Sequence, residues 1–394
     1  MSSQNLLTSR RSFLQMSAAA AAIPWITEPM LAAAAAAHRQ YTPDGVFIDS
    51  NENPLGPCSA AREAMSAIIP QGGRYSDHLT EEVIQTFAAS EGLRKENIRI
   101  FAGSTPALHF GVKTFTSPQR SYVTADPGYE AGMFAAQSVH ARVVKVPLTN
   151  NYSHDIRAML AAAPDAGLFY ICTPNNPTGT LTSHSDVEFL VENKPKDSVV
   201  MVDEAYLHFT EARSTVDLVK AGKDVIVLRT FSKAYGMAGL RCGFAIARPD
   251  LLDKLMDAAG WNFMPVTAVV AASASLKDAN VVPERRRINA EIRRQTFEWL
   301  DRNGYPYIPS ESNCFLLNVK RPGKEVIDAM AKQNVFIGRI WPVMPTCVRI
   351  TVGTHDEMQQ FQAALQKITH GTAAFSLPPA RPTPAFRRNQ LAGL

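Results

Sequence analysis

The sequence predicts an α/β protein: a large domain whose mostly parallel sheet is covered by helices on both faces, followed by a smaller α+β domain. Three observations carry this reading. Short runs rich in β-branched residues alternate with helical segments at spacings that suit βαβ crossovers. The polar motifs follow the C-terminal ends of those runs, where open α/β sheets hold their ligands. From about Trp261 the pattern changes to long helices separated by a few short strands. The divisions that result are 1–37 as an export segment, 38–70 as an N-terminal arm, 71–262 as the large domain, 263–370 as the small domain and 371–394 as a disordered tail.

Taken in order, Asp49–Pro57 (D-S-N-E-N-P-L-G-P) is dense in turn formers and reads as extended. Ser59 is set as the N-cap of a helix to about Ile68. Gln71–Asp77 is a loop, and Thr80-Glu81-Glu82 opens a helix that turns Val83, Ile84, Phe87 and Ala88 inward. Ile98–Phe101 is a short strand that closes on Ala102-Gly103-Ser104-Thr105-Pro106, with a helix from about Ala107. Tyr122–Thr124 is a strand ending at Asp126-Pro127-Gly128-Tyr129, with Tyr129 opening the next helix. Arg142–Pro147, Leu168–Cys172, Val199–Val202, Val225–Leu228 and Gly243–Ala247 complete the strands of the sheet. The second part holds a helix over about Val282–Asn303, with Ile288, Ile292, Phe297 and Leu300 inward. Strands at Cys314–Val319, Phe336–Ile337 and Val348–Val352 follow, and a helix near Asp356–Thr369 closes the fold. The Pro/Arg-rich stretch after Gly371 reads as disordered.

Composition is that of an ordinary globular protein, with 46% hydrophobic and 19% charged residues. A net charge of +4 without a long basic run argues against nucleic acid as a partner. Arg285-Arg286-Arg287, flanked by Glu284 and Glu291, reads as a solvated helix face. The five cysteines are scattered without a C-x-x-C pair, so neither a disulfide framework nor a metal site is indicated. The first residues carry a different signal. Ser9–Gln15 (S-R-R-S-F-L-Q) matches the twin-arginine export pattern, and an alanine-rich segment runs from there to Ile23. Pro24 breaks that segment before it is long enough to span a bilayer. Ala32–Ala37 offers small-residue cleavage sites, which predicts a periplasmic or otherwise exported mature chain starting near His38. The twin-arginine machinery carries folded proteins, which suits a protein that takes up a cofactor before export. Without use of the signal, the expected location is cytoplasmic.

The chemistry converges on the strand ends. Lys233 lies between packed apolar segments, where a lysine can lose its proton and attack an aldehyde. Thr230, Ser232 and Arg241 around it suit a phosphate on the same ligand. Together they point to pyridoxal phosphate. The Gly103-Ser104-Thr105 turn places free N–H groups at a helix N-terminus, a second anion-binding feature. Asp203, at the end of an apolar strand, would keep a pyridine nitrogen protonated so that the ring accepts electrons. A buried aspartate also asks for a cationic partner. Tyr206 and Asn176 are placed to hydrogen-bond the ring's phenolic oxygen.

Four motifs, T-P-N-N-P-T-G, D-E-A-Y, S-K-A-Y-G-M-A-G-L-R-C-G and R-I-T-V-G, occur in that order, with S-N-E-N-P-L-G-P near the start. The set resembles the class I/II, fold-type I aminotransferases and is most similar to the histidinol-phosphate aminotransferase branch, over about Asp49 to Thr369. The resemblance implies a homodimer with its active site between subunits. It implies that Lys233 forms the Schiff base and shuttles the proton, that Asp203 pairs with the pyridinium, and that Asn176 and Tyr206 contact the phenolic oxygen. Arg241, Ser232 and Thr230 would hold the phosphate together with Ser104 and Thr105, and Tyr129 would stack on the ring. Tyr75 would reach the phosphate of the neighbouring subunit's cofactor. Arg349 would clamp the substrate's α-carboxylate, and Arg339 falls where this branch meets the substrate's distal group.

The expected reaction is transamination between an amino acid or amino-alcohol phosphate, histidinol-phosphate-like or aromatic, and a 2-oxo acid such as 2-oxoglutarate. Two departures qualify the match. The turn at Gly103-Ser104-Thr105-Pro106 lacks the acidic residue often found there, and an export signal does not suit histidine biosynthesis. A lyase or decarboxylase on the same fold would use the same Lys233 and Asp203. A non-enzymatic cofactor-binding regulator would bring a DNA-binding module, and no helix-turn-helix stretch is evident.

Overall fold

The computed structural model describes residues 42–260 and 262–370. The expected export segment (1–37) and C-terminal tail (371–394) lie outside them. A short strand, β1 (Val46–Ile48), and a turn-rich stretch lead to α1 (Ser59–Ile68) and α2 (Asp77–Ser90). β2 (Ile98–Phe101) runs into α3 (Ser104–Phe115), and strand then alternates with helix. The succession is β3 (Ser121–Asp126), α4 (Ala131–Ser138), β4 (Val143–Pro147), α5 (Ile156–Ala162), β5 (Ala166–Cys172) and α6 (His184–Asn193). It continues with β6 (Val199–Asp203), α7 (Val216–Lys220), β7 (Val225–Thr230), β8 (Gly243–Ile246) and α8 (Pro249–Ala259).

Seven of these strands form one sheet in the order β2-β8-β7-β6-β5-β3-β4. The pairs from β7 through β4 are parallel, as the crossover helices require. β8 is antiparallel to both neighbours, because no helix intervenes between β7 and β8 to return the chain to the starting edge. β5, β6 and β7 are buried along their whole length, which is why they read as continuous apolar runs rather than alternating ones. Alternate residues still part to the two faces. Phe169, Ile171, Val200, Val202, Val225 and Val227 join one core, and Leu168, Tyr170, Met201, Ile226 and Leu228 the other.

The second part contains α9 (Val266–Lys277), α10 (Val281–Arg302), β9 (Tyr307–Ile308), β10 (Cys314–Asn318), α11 (Gly323–Ala331), β11 (Val335–Ile337), β12 (Cys347–Thr351) and α12 (His355–His370). β12, β10 and β9 form an antiparallel sheet, and β1 of the N-terminal arm adds beside β11 in parallel, Val46 against Val335. The sequence places residue 263 at the start of the small domain. Yet Ala268, Val269, Ala271 and Ala272 of α9 share the large sheet's core with Ala61 and Val83. Helix length and spacing mark the change of pattern, but not which sheet a helix covers.

Element ends differ from expectation in ways that bear on the site. α3 begins at Ser104 rather than near Ala107. Gly103, at φ 90°, takes the cap position, and Pro106 falls third in the helix, where an N–H has no intrahelical partner anyway. Cys58 rather than Ser59 precedes α1, and α2 starts at Asp77. Tyr129 stands before α4, not in it. β1 and β9 were not read from sequence. Among the described residues, no helix is long and apolar enough to cross a membrane.

Candidate active site

Register brings the strand ends level: Cys172 of β5 pairs with Asp203 of β6, and Asp203 with Leu228 of β7. Asp203 is buried. The Tyr170 hydroxyl donates to its Oδ2 at 2.8 Å and the Ala205 N–H to its Oδ1 at 3.0 Å. Both donors are neutral, and burial pushes the carboxyl's pKa above its ordinary value. The site therefore holds a carboxylate suited to a cationic group that lies in front of it.

Lys233 follows β7 and donates from Nζ to the Asn51 carbonyl at 2.8 Å. Its ammonium lies 5.6 Å from the centre of the Tyr206 ring. Burial, with the charge of Arg349 adding to it, lowers its pKa to about 8. A neutral amine is thus within reach near neutral pH, as attack on an aldehyde requires. Asn51 holds this corner together from the left-handed region, φ 53°. Its Nδ2 donates to the Tyr206 hydroxyl at 3.0 Å, and its N–H to Thr351 Oγ1 at 2.9 Å.

The expected phosphate residues converge on α3. A Cβ on Gly103 would come within 2.2 Å of Arg241 Nη2, so only glycine lets the guanidinium approach the turn. A Cβ on Gly243 would meet the Ser104 N–H nitrogen at 2.7 Å. Arg241, itself at φ 63°, donates from Nη1 to Ser232 Oγ at 3.3 Å and to the Ala238 carbonyl at 2.7 Å. Thr230 Oγ1 donates to Ser232 Oγ at 3.0 Å. Holding a non-glycine residue left-handed is unfavourable, and this one aims a cation at free helix N–H groups. Thr105 Oγ1 lies 3.4 Å from the Tyr129 hydroxyl, which brings that half-buried ring beside the cradle.

On the substrate side, buried Arg349 donates from Nη1 to Asn176 Oδ1 at 2.9 Å and from Nη2 to the Asp49 carbonyl at 2.6 Å. Arg339 is ion-paired to Glu130 at 2.6 Å. Tyr75 stands apart: it is 83% exposed, with its ring on Phe263. Sequence reasoning missed Asp49, Asn51, Tyr170, Glu130 and Trp341 as parts of the site. Asn51 had a signal, an asparagine inside a turn-forming stretch; the others become meaningful only through contacts.

Pyridoxal phosphate brings an aldehyde, a basic ring nitrogen and a phosphate, and these residues fit each part. Lys233 would meet the aldehyde, Asp203 the protonated nitrogen, and the Gly103–Thr105 turn with Thr230, Ser232 and Arg241 the phosphate. The comparisons agree on the cofactor. Residues 43–365 match the family described as aminotransferase class I and II. A histidinol-phosphate aminotransferase of Moorella thermoacetica is 34% identical over 332 residues, 82% of this chain and 86% of that protein. An aromatic amino acid aminotransferase of Cutibacterium acnes is 34% identical over 333 residues, 83% of this chain and 94% of that one. The crystal structure of histidinol-phosphate aminotransferase from Sinorhizobium meliloti in complex with pyridoxal-5'-phosphate superposes with a TM-score of 0.76. It is 26% identical, covering 82% of this chain and 90% of that one. The chain belongs to the class I and II aminotransferases and is a pyridoxal-phosphate-dependent aminotransferase of fold type I.

Proposed function

We propose that the protein transfers an amino group between an amino acid or amino-alcohol phosphate, histidinol-phosphate-like or aromatic, and a 2-oxo acid such as 2-oxoglutarate. One observation carries this. Lys233 and Arg349 are both tethered to the Asp49–Asn51 segment, one through the Asn51 carbonyl and the other through the Asp49 carbonyl. An amine-handling group and a carboxylate clamp are thereby held on one short piece of backbone, the arrangement that suits an α-amino or 2-oxo acid. The similarity to both histidinol-phosphate and aromatic amino acid aminotransferases supports the donor class.

The cofactor supplies an aldehyde for the donor's nitrogen and a ring that takes up the electrons left when the Cα proton departs. The chain's own residues do the rest. Lys233 Nζ would take up the proton that leaves the donor's Cα, a task for an amine titrating near the working pH. Asp203, a buried carboxylate, would keep the ring nitrogen protonated. Asn176 and Tyr206 would hold the phenolic oxygen and orient the ring, and Tyr129 would stack on it. Arg349 fixes the carboxylate so that the Cα–H bond stays over the lysine.

The protein is further proposed to act as a homodimer, in which exposed Tyr75 serves the partner's phosphate site. Export by the twin-arginine route, read from Ser9–Gln15, would deliver it folded to the periplasm. The decisive experiment incubates the full-length protein with a panel of amino donors and 2-oxoglutarate. Glutamate should form in step with the donor's oxo product, fastest with aromatic or imidazole-bearing donors. Carbon dioxide release without glutamate would replace the transaminase with a decarboxylase.

A further inference from the structure

The residue after Tyr129 is a buried carboxylate that none of these steps uses. Glu130 is 4% exposed, and its two oxygens lie 2.6 and 2.7 Å from Arg339 Nη2. The Arg339 guanidinium lies 4.9 Å from the centre of the Trp341 ring, and that of Arg349 lies 5.7 Å from the same centre. The indole is fixed by its N–H, which donates to the Gly128 carbonyl at 3.1 Å. The carboxylate clamp and the distal arginine therefore share one aromatic platform, and the second of these cations is already neutralised.

That pairing decides which substrate side chains are welcome. A phosphate or carboxylate that engages Arg339 must displace Glu130, which strands a buried carboxylate without its partner. If Glu130 stays, two anions crowd one guanidinium. A neutral side chain leaves the ion pair intact. We propose that Glu130 is a specificity-determining residue. By holding Arg339 in a closed ion pair, it biases the distal subsite towards donors with neutral, aromatic side chains and against those carrying a distal anion. This rests on the transaminase reading above and narrows its donor class. An anionic acceptor such as 2-oxoglutarate is then used with a high KM, because it must open the pair.

The test measures kcat and KM separately on full-length protein with bound cofactor. Phenylalanine and tyrosine serve as neutral donors, and glutamate and aspartate as anionic ones. Wild type should favour the neutral pair. Glu130→Gln should raise the ratio of anionic to neutral kcat/KM about tenfold, mainly through a lower KM for the anionic donors. Glu130→Gln/Arg339→Gln should lose that gain, because it runs through Arg339; general loosening of the pocket would not depend on the arginine. Dead-end inhibition of the unaltered protein gives an independent reading, with 3-phenylpropionate binding more tightly than glutarate. An unchanged ratio in Glu130→Gln, a gain that survives loss of Arg339, or tighter binding of glutarate would each overturn the assignment. Absence of amino transfer from every donor would instead bring down the transaminase reading beneath it.

Discussion

Around Asp203 the hydrogen bonds of the site close short stretches of chain: Tyr170 to Asp203 is a separation of 33 residues, and Arg241 to Ser232 one of 9. Around Arg349 they are far longer. Arg349 reaches Asn176 across 173 positions and Asp49 across 300, while Lys233 reaches Asn51 across 182. The cofactor half rests on level strand ends of one sheet, so it forms as soon as that sheet does. The substrate half exists only once the N-terminal arm, the large sheet and the smaller sheet have met. A site divided this way can keep its cofactor chemistry fixed while substrate choice varies through the second half. The sharpest way to separate the halves is to alter each and see whether the other notices.

Lys233→Ala should have the largest effect, because the lysine is the one group that belongs to both halves. A fall in kcat of about 10³-fold or more is expected, the scale of a positioned acid–base group. The substituted protein should also lose the imine absorption band. The same amine predicts a pH dependence for loading cofactor into the cofactor-free protein. Burial lowers the Lys233 pKa to about 8, and only the neutral amine attacks. The rate of attachment should therefore climb as pH rises towards 8 and level off above it. A rate that kept climbing to about pH 10, the range of an ordinary lysine, would contradict the desolvation described here.

Asp203→Asn should come next and should stay within the cofactor half. Losing one member of a buried charge pair costs about 3–4 kcal/mol at this scale, or roughly 10²- to 10³-fold in rate. Stability without cofactor should move the other way. The folded-state pKa of Asp203 is raised, so the group favours folding when protonated and opposes it as pH rises through that value. At neutral pH the wild type carries that burden and the asparagine variant does not. Melting of cofactor-free protein at pH 7 should thus be higher for Asp203→Asn, with the gap closing in acid. A lower melting temperature at every pH would mean that the carboxylate is a structural anchor rather than a receptor for a cation.

The same division explains what could be read from sequence. Lys233, Asp203 and Ser232 stand at or just after the ends of apolar runs, and the sidedness of a parallel sheet places such residues together without further information. The direction of β8 was not legible, since an apolar tetrapeptide has no polarity of its own. Tyr170 was read as one more apolar strand residue; its hydroxyl matters only because Asp203 lies beside it. Glu130 carries no local signal, since nothing in its neighbourhood says that Arg339 closes over it from 209 positions away. Residues whose role comes from an element of their own can be found by pattern. Those whose role comes from meeting another element cannot.

The smallest effect is expected where the halves touch, at Arg349→Lys. Lysine keeps the charge but gives up the planar fork that spans Asn176 and Asp49. One hydrogen bond to a charged group is lost, about 1.5–3 kcal/mol, so KM for both amino and oxo acids should rise roughly 10- to 100-fold. The absorption band and cofactor affinity should hold, because Asp203 and the α3 turn are anchored to the large sheet, and Lys233 is tied to the Asn51 carbonyl rather than to Arg349. Relief of the positive charge beside Lys233 should be slight, since the new ammonium stands in for the old guanidinium. If Arg349→Lys instead released cofactor, the hydrogen bond to Asn176 would have to be carrying the ring's position as well as the substrate's. The two halves would then be one cooperative unit, and the contrast in contact range would describe how the site folds without describing how it works.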